Sequence, residues 1–348
     1  MNNVVNAPNP SSSRNGASHG GVTARGLGKK FGDLWALRDL DLDVPPGTVL
    51  GLLGHNGAGK TTAIRILTTL SQPTTGSASI AGLDVVKDAE AVRSRIGVAA
   101  QQATVDGLLS ARNNLRMVGR LYHLPPDVCK RRTDELIERM DLVDAADRLV
   151  KTYSGGMRRR LDLAASLIAS PQVLFLDEPT TGLDPRSRND LWQILRDLVR
   201  DGTTVILTTQ YLEEADRLAD TIVVLDHGRA VATGTPSELK ARIGGDRIEV
   251  SVNTERELDE AIVALRPFAS APPVKHVASS GENIESGEHG ESMQVIAPIL
   301  ENTRLIDVVR ALDAAGVEAI DINRRQATLD DVFLTLTSPG GATQEVAS

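Results

Sequence analysis

The sequence predicts an α/β domain followed by a smaller α+β domain. From about residue 22 to residue 242, short runs of valine, leucine and isoleucine alternate with amphipathic stretches and with turns rich in glycine, aspartate and proline, which is typical of strands alternating with helices. From residue 246 an alternating strand and a helical stripe begin a second, shorter series. The length of 348 residues is enough for about two domains of roughly 150 residues each.

Composition indicates a globular protein and excludes several classes. Hydrophobic residues make up 41% and charged residues 24%, both ordinary for a folded, soluble chain. The net charge of −8 is the wrong sign for a protein that coats nucleic acid. Cys129 is the single cysteine and has no partner for an internal disulfide, which favours a reducing compartment and hence the cytoplasm. The chain contains no apolar run near the roughly 18 residues that span a bilayer.

The residues outside the first domain divide further. Residues 1–21 are rich in Asn, Ser, Gly and Pro without an apolar stretch, so we expect a disordered tail and not a signal peptide. Within the α/β domain, residues of about 103–165 read as a helical subdomain. The small domain should cover residues 246–338, with a flexible loop at 267–292, and residues 339–348 should form a frayed tail.

Two patterns describe the helices of the small domain. Thr254 and Glu257 have the spacing of a capping box at a helix start. The last helix should carry a stripe of Leu329, Val332, Phe333 and Leu336 on one face. That stripe could close the small domain's own core, which is the simpler interpretation, or it could dock on the first domain or on a second subunit.

A phosphate-binding loop follows the predicted strand Val49 to Leu53 and precedes a predicted helix, Thr61 to Leu70. Glycines let the backbone N–H groups turn inward around phosphate oxygens, the helix N-terminus adds partial positive charge, and Lys60 supplies a full charge. Thr61 can ligate Mg²⁺. The residues expected to contact nucleotide here are Gly54, His55, Asn56, Gly57, Ala58, Gly59, Lys60, Thr61 and Thr62.

An acidic pair ends another buried strand, Val173 to Leu176. Asp177 is expected to hold the Mg²⁺ shell. Glu178, one residue further, is placed to polarise a water molecule for in-line attack on the γ-phosphate. An acidic pair alone is often only part of a turn, but its occurrence beside a phosphate loop favours a nucleotide-hydrolysing site.

The order of two further motifs resembles that of ABC-type nucleotide-binding subunits. Ser154-Gly155-Gly156-Met157 lies shortly before Asp177, and Asp184 ends the stretch that follows Glu178. The resemblance covers about residues 22–242 and implies a P-loop NTPase core of ABC type that binds ATP and Mg²⁺. It implies these roles: Phe31 stacks on adenine, Gln101 or its neighbour Gln102 touches Mg²⁺ and senses a membrane partner, Ser154 to Met157 contact the other subunit's γ-phosphate, and Asp184 lies at the dimer interface.

The physical chemistry of Ser154 agrees with that role. Serine is a good N-cap, and two glycines expose backbone N–H groups at the start of a predicted helix, Met157 to Ile168. One chain would then hold two anion sites, which can serve one nucleotide only if two chains pair head to tail. The simpler alternative is a turn and cap without a ligand.

One position departs from the resemblance. After the predicted strand Thr204 to Thr208, most of the family has a histidine at the γ-phosphate, whereas this chain has Gln210. Glutamine can donate a hydrogen bond but cannot carry positive charge. Gln210 and the segment Ala327 to Leu334 resemble the daunorubicin-resistance branch of drug and lipid exporters.

We therefore expect the ATPase subunit of a membrane exporter. Its catalytic residues for ATP hydrolysis should be Glu178, Lys60 and Gln210. It should act as a homodimer with a separate integral membrane permease, at the cytoplasmic face of the membrane and without nucleic acid. The rivals are a soluble ABC-type ATPase that acts on nucleic acid or the ribosome, and a nucleotide-binding regulator that does not turn over. The basic run Arg158 to Arg160 is expected to make solvated or interdomain contacts.

Overall fold

The computed structural model describes residues 21–100, 104–242, 246–277, 293–300, 302–325 and 328–337. The strands are β1 (Val22–Phe31), β2 (Leu34–Val44), β3 (Val49–Leu53), β4 (Thr75–Ile80), β5 (Leu83–Asp84), β6 (Ile96–Ala99), β7 (Val173–Asp177), β8 (Thr204–Thr209), β9 (Thr221–Asp226), β10 (Arg229–Gly234), β11 (Arg247–Val252), β12 (Val274–Val277), β13 (Met293–Pro298) and β14 (Asp321–Arg325). The helices are α1 (Lys60–Leu67), α2 (Ala89–Arg93), α3 (Ala111–Leu121), α4 (Pro126–Arg139), α5 (Gly155–Leu167), α6 (Pro185–Arg200), α7 (Leu212–Leu218), α8 (Pro236–Arg242), α9 (Glu255–Leu265), α10 (Leu305–Ala314) and α11 (Leu329–Thr337).

The chain folds as two compact units whose boundaries do not follow the sequence in a simple way. Unit 1 contains the described residues up to 49 and residues 61–208. Unit 2 contains residues 50–60 and the described residues from 209 onward. The phosphate-loop segment thus belongs to the same compact unit as the small C-terminal domain.

Unit 1 combines an antiparallel sheet with parallel strands and helices. Its antiparallel sheet has the order β2-β1-β4-β5, and its parallel strands have the order β8-β7-β6. Strand β7 is apolar and buried from Val173 to Leu176, as expected for a parallel strand covered on both faces. Helices α3, α4 and α5 occupy most of the predicted helical subdomain, and α3 and α4 each pack on α5.

The first part of unit 2 is built around the strand that leads into the phosphate loop. Strand β3 pairs in parallel with β9, and β9 forms an antiparallel hairpin with β10. All five residues of Val49–Leu53 are buried. The hairpin turn consists of His227 and Gly228, both at positive φ, as in the two-residue turns that commonly join antiparallel strands.

The second part of unit 2 is a sheet with the order β12-β13-β11-β14, covered by helices. Its core joins the buried faces of β11, β13, α9 and α10, and includes Val250, Leu258, Val295 and Leu312. The predicted capping box is present: the Thr254 hydroxyl accepts from the Glu257 N–H, and the Glu257 carboxylate accepts from the Thr254 N–H. Strand β12 (Val274–Val277) lies inside the segment 267–292 expected to be a flexible loop. Because β12 pairs with β13, that expectation is wrong for residues 274–277.

Helix α11 lies outside the core of the small domain. Leu329 and Val332 are buried, and the helix packs against α7 and α8, which come from the ATP-binding part of the sequence. An ion pair between Asp331 and Arg247, 3.6 Å apart, ties α11 to β11. The interpretation that this stripe closes the core of the small domain is therefore wrong. The amphipathic pattern identifies a buried face but not the surface that covers it.

Several expectations fall on residues outside the described ranges. These are the tails at 1–20 and 338–348, the remainder of the expected loop at 278–292, and Gln101 and Gln102. Among the helices that the structure does describe, none has the length and apolar character needed to cross a membrane.

Candidate functional site

The phosphate loop is shaped by glycines and by a close approach to the β9–β10 hairpin. Gly57 and Gly59 have φ of 88° and 107°, a region that side chains with a Cβ rarely adopt. At Gly54, a Cβ would lie 2.4 Å from the Leu225 carbonyl oxygen, so no other residue fits without moving the backbone. The Gly228 N–H donates to the Ala58 carbonyl at 3.1 Å. The hairpin therefore packs against the loop and fixes its backbone.

Lys60 directs its ammonium group into this loop. Its side chain is buried, with the residue only 5% exposed, and Nζ donates to the carbonyl oxygens of Gly54 at 2.5 Å and His55 at 3.1 Å. Burial strengthens the field of an ammonium group because little water screens it. The loop therefore holds a buried ammonium group beside the carbonyl oxygens of its own first residues.

The His55 side chain is a further support of the loop, which sequence reasoning missed. Its Nδ1 donates to the Asn56 carbonyl at 2.6 Å, and its Nε2 lies 2.8 Å from Asp226 Oδ1. The sequence indicates His55 only as a nucleotide contact, because its pairing with a residue at the end of β9 leaves no local pattern.

The acidic pair ends strand β7 and is oriented by β8. Thr208 Oγ1 donates to Asp177 Oδ1 at 2.5 Å, and the Glu178 N–H donates to the Thr208 carbonyl at 3.1 Å. Thr181 Oγ1 donates to Glu178 Oε2 at 3.3 Å. Glu178 has φ of 47°, which is uncommon for a residue with a side chain. Both carboxylates are thus fixed at the end of the strand.

The Ser154 motif forms the N-terminus of α5 as predicted, although the helix begins at Gly155, two residues earlier than expected. Ser154 Oγ accepts from the Met157 N–H at 3.2 Å. A Cβ on Gly156 would lie 2.6 Å from Ser187 Oγ, which places the start of α6 directly beside this motif. A larger residue at that position would therefore have to displace the Ser187 side chain.

Asp184 caps helix α6 at the same place. Its carboxylate accepts from the Ser187 hydroxyl at 2.6 Å and from the Ser187 N–H at 3.0 Å. These two hydrogen bonds lower the pKa of the Asp184 carboxyl below its usual range, and the bond from the hydroxyl has the larger effect. The structure therefore brings Ser154 to Met157 and Asp184 together in unit 1.

The remaining predicted residues lie at separate places. Phe31 ends β1 with 57% of its surface exposed, and Lys29 Nζ lies 5.2 Å from its ring centroid. Thr61 and Thr62 form the first turn of α1, and Gln210 is exposed directly after β8.

The hydroxyl of Thr61 and the carboxylate of Asp177 are hard oxygen donors of the kind that Mg²⁺ prefers, so these residues fit the expected metal.

Arg159 is also placed differently from the sequence expectation. Its side chain is only 11% exposed, and it lies inside unit 1 against backbone carbonyls at the ends of β6 and β7. The expectation of a solvated side chain is therefore wrong for this residue, and its contacts join the helical subdomain to the ends of β6 and β7. An arginine in a basic run carries no sequence signal for burial, because its partners are carbonyl oxygens that any residue supplies.

Comparison with known proteins identifies the class. The family model described as ABC transporter matches residues 37–181. A dimeric ATP-binding cassette, solved in a post-hydrolysis state with ADP and phosphate, superimposes with a TM-score of 0.56 at 26% identity, over 62% of this chain and 98% of that one. The fold and site therefore define an ABC-type ATPase that binds ATP.

Two relatives narrow the family. A daunorubicin resistance ATP-binding protein of Streptomyces coeruleorubidus is 50% identical over 94% of this chain and 98% of its own length. A doxorubicin resistance ATP-binding protein of Mycobacterium tuberculosis is 44% identical over 91% of this chain and 93% of its own. The chain belongs to the ABC transporter family, within its daunorubicin and doxorubicin resistance ATP-binding proteins.

Proposed function

We propose that this chain is the ATP-hydrolysing subunit of an exporter and that it works on a separate membrane-spanning permease. The observation that carries the proposal is one phosphate loop and one serine-capped, glycine-led helix in the same chain. The daunorubicin and doxorubicin resistance named for the relatives supports a drug as the substrate, and our proposal covers a hydrophobic drug or lipid-like compound. Attachment to the permease would place the chain at the cytoplasmic face of the membrane.

The residues of the site divide the chemistry of hydrolysis. Lys60 and the loop N–H groups bind the β- and γ-phosphates, while Phe31 stacks on adenine. Glu178 accepts a proton from the attacking water, and Gln210 donates a hydrogen bond to that water or to the γ-phosphate.

Thr61, Asp177 and Gln101 would hold Mg²⁺. When bound, Mg²⁺ neutralises charge on the phosphate oxygens.

The dimer is proposed to be head to tail. The first turn of α5 has backbone N–H groups that no preceding turn can accept, and Ser154 satisfies one of them, at Met157. A helix of 13 residues has a partial positive charge at this end, which favours an anion. In a head-to-tail pair, each ATP would lie between one chain's phosphate loop and the partner chain's Ser154 motif.

Replacement of Glu178 by glutamine tests the catalytic assignment. Glu178→Gln keeps the shape but removes the base, so ATP hydrolysis should fall by about a hundredfold or more. ATP should still bind, and light scattering should show an ATP-dependent dimer with trapped nucleotide.

The matched control is Glu135→Gln. Glu135 is a half-exposed residue of α4 that pairs with Arg132, and its replacement should leave hydrolysis unchanged. Near-normal turnover in Glu178→Gln would refute the base assignment. If this variant is inactive but stays monomeric with ATP, the base assignment stands and the dimer proposal fails.

A second experiment tests the exporter proposal. The genes beside this one are searched for a membrane-spanning permease, and a permease found there is co-expressed with the tagged chain in membranes. Co-purification and drug-stimulated ATPase activity are expected. Recovery of the chain without the permease, together with stimulation by ribosomes or nucleic acid, would favour the soluble ATPase instead.

A further inference from the structure

Arg159, in the second turn of α5, makes an unusual set of contacts with the backbone. Its Nη1 donates to the Ala100 carbonyl at 2.6 Å and its Nε to the Pro179 carbonyl at 2.7 Å. Its Nη2 lies within hydrogen-bond distance of the carbonyls of Asp177, at 3.2 Å, and Glu178, at 3.3 Å. One guanidinium therefore holds four carbonyl oxygens on two different segments.

Those carbonyls belong to the places where chemistry is expected. Ala100 follows β6 and immediately precedes Gln101 in the sequence, and the other three lie at the end of β7, around the proposed base. Only arginine offers five N–H donors in a planar fork, so no other side chain could make this set of contacts. The signature helix α5 is thereby bound to the strand end that carries Glu178.

The Glu178 backbone needs such support. A residue with a side chain at φ of 47° is in a conformation that costs free energy and persists only when its surroundings fix it. The Glu178 N–H is held by Thr208, through the carbonyl at 3.1 Å and Oγ1 at 3.2 Å. Arg159 holds the carbonyl on the other side of the same residue. Together, the two contacts fix both peptide groups of Glu178.

The charge of Arg159 is balanced inside the same unit. Asp162, one turn further along α5, has Oδ2 at 3.6 Å from Arg159 Nη1. Asp162 Oδ1 accepts from the Thr104 N–H and hydroxyl, both at 2.8 Å. The guanidinium is therefore held in one orientation by a buried counter-charge, and a flexible surface arginine would lack this restraint.

We propose that Arg159 is a positioning residue for ATP hydrolysis, which holds the strained Glu178 backbone so that its carboxylate is aimed at the attacking water. This inference rests on the proposed role of Glu178 as the base. Arg159 touches neither substrate nor the reacting atoms in this proposal. Its effect on the reaction passes through Glu178.

The first test compares kcat and KM in Arg159→Gln. The variant loses most of the donors, so kcat should fall ten- to a hundredfold, while KM for ATP stays within about threefold because the phosphate loop is untouched. Arg160→Gln is the control, since Arg160 is the next residue of the helix and its Nη1 pairs with the exposed Asp141 at 3.0 Å. Its kcat should stay within twofold of the parent.

Arg159→Lys covers the case in which Arg159→Gln does not fold. Lysine keeps the charge beside Asp162 but cannot span four carbonyls, so kcat should still fall at least fivefold. A folded Arg159→Gln with kcat within twofold of the parent overturns the proposal. If Arg159→Gln is unfolded, an Arg159→Lys kcat within twofold of the parent overturns it as well.

The decisive test is a double-mutant cycle with Glu178→Gln, measured as single-turnover hydrolysis. If Arg159 acts through Glu178, then Arg159→Gln should cause less than a twofold further loss in the Glu178→Gln background. Losses that multiply would show an independent structural effect and overturn the proposal. The cycle also separates the two failures: normal turnover in Glu178→Gln alone refutes the base, whereas an inactive Glu178→Gln with multiplying losses refutes only the role of Arg159.

Discussion

At the scale of single residues, Asp162 is a buried carboxyl group whose hydrogen bonds hold Thr104 against α5. The residue is 1% exposed, and burial raises the pKa of its carboxyl above the usual 3.8, against the lowering effect of Thr104 and Arg159. Asp162→Ala would leave the Thr104 N–H and the Arg159 charge without this partner, so we expect a loss of about 3 kcal/mol in the free energy of unfolding. Urea unfolding measures it.

The pH dependence of this residue has a definite sign. Because the folded pKa is raised, the folded state binds the proton more tightly than the unfolded state does. The contribution of Asp162 to stability is therefore largest below pH 3.8 and decreases as the pH rises toward the raised value. Relative to Asp162→Asn, which does not titrate, the parent should therefore lose free energy of unfolding over that range. A difference that is constant with pH would contradict the raised pKa.

Gln210 is the second residue at which sequence and structure define a test. It is exposed directly after β8, and a neutral amide there can donate a hydrogen bond without titrating. Gln210→Ala should lower kcat by about tenfold or more if that donor faces developing charge. Gln210→His should stay active and gain a pH dependence near about 6.5, the value of free histidine. Unchanged turnover in Gln210→Ala would place the residue outside the site.

At the scale of elements, α11 connects the end of the described chain to the helix that follows Gln210. Leu329 is 2% exposed in a helix that packs on α7 and α8, so Leu329→Ala should lower the free energy of unfolding by about 2 to 4 kcal/mol. Leu121→Ala is the matched control, because Leu121 is exposed at the end of α3, and it should cost less than about 0.5 kcal/mol. Similar losses in both variants would contradict the packing of α11.

Local elements could be predicted from the sequence, but their partners could not. The buried strands Val49–Leu53 and Val173–Asp177, the Ser154 cap and the Thr254 capping box all follow from apolar runs and short spacings. The surface that covers α11 depends on contacts between distant segments, so periodicity cannot reveal it.

In the candidate site as well, one group of residues could be predicted from the sequence and another could not. The phosphate loop and the acidic pair were predictable because their chemistry needs fixed residue types at fixed offsets. The supports of that site were not predictable: His55 pairs with Asp226, and Glu178 is held by Thr208 and Arg159. These contacts join residues from different strands and helices, and no short motif records them.

At the scale of the whole molecule, the head-to-tail proposal predicts complementation between two damaged chains. Ser154→Arg places bulk and charge where the partner's γ-phosphate should lie, and Lys60→Ala damages its own loop. In a mixed dimer, one site carries both defects and the other carries neither. ATPase activity should therefore return on mixing, measured against the mixing ratio.

A second readout covers a mechanism that needs both sites for turnover. Both damaged chains are made in the Glu178→Gln background, and ATP trapping by the mixture is measured. The mixture should trap ATP in a dimer, whereas each chain alone should not. Trapping and activity that only equal the average of the separate chains would contradict the shared site.

Unit 2 is formed from segments that lie far apart in the sequence, and this has a consequence for folding during translation. His55 and Asp226 are 171 positions apart in the sequence, and the parallel partner of β3 begins at Thr221. Synthesis proceeds from the N-terminus, and pairings between distant segments form only after a large loss of chain entropy. While it is being translated, the phosphate loop is thus without the hairpin that shapes it. Competence to bind nucleotide is therefore a late event in biosynthesis, which follows the addition of Asp226 and Gly228.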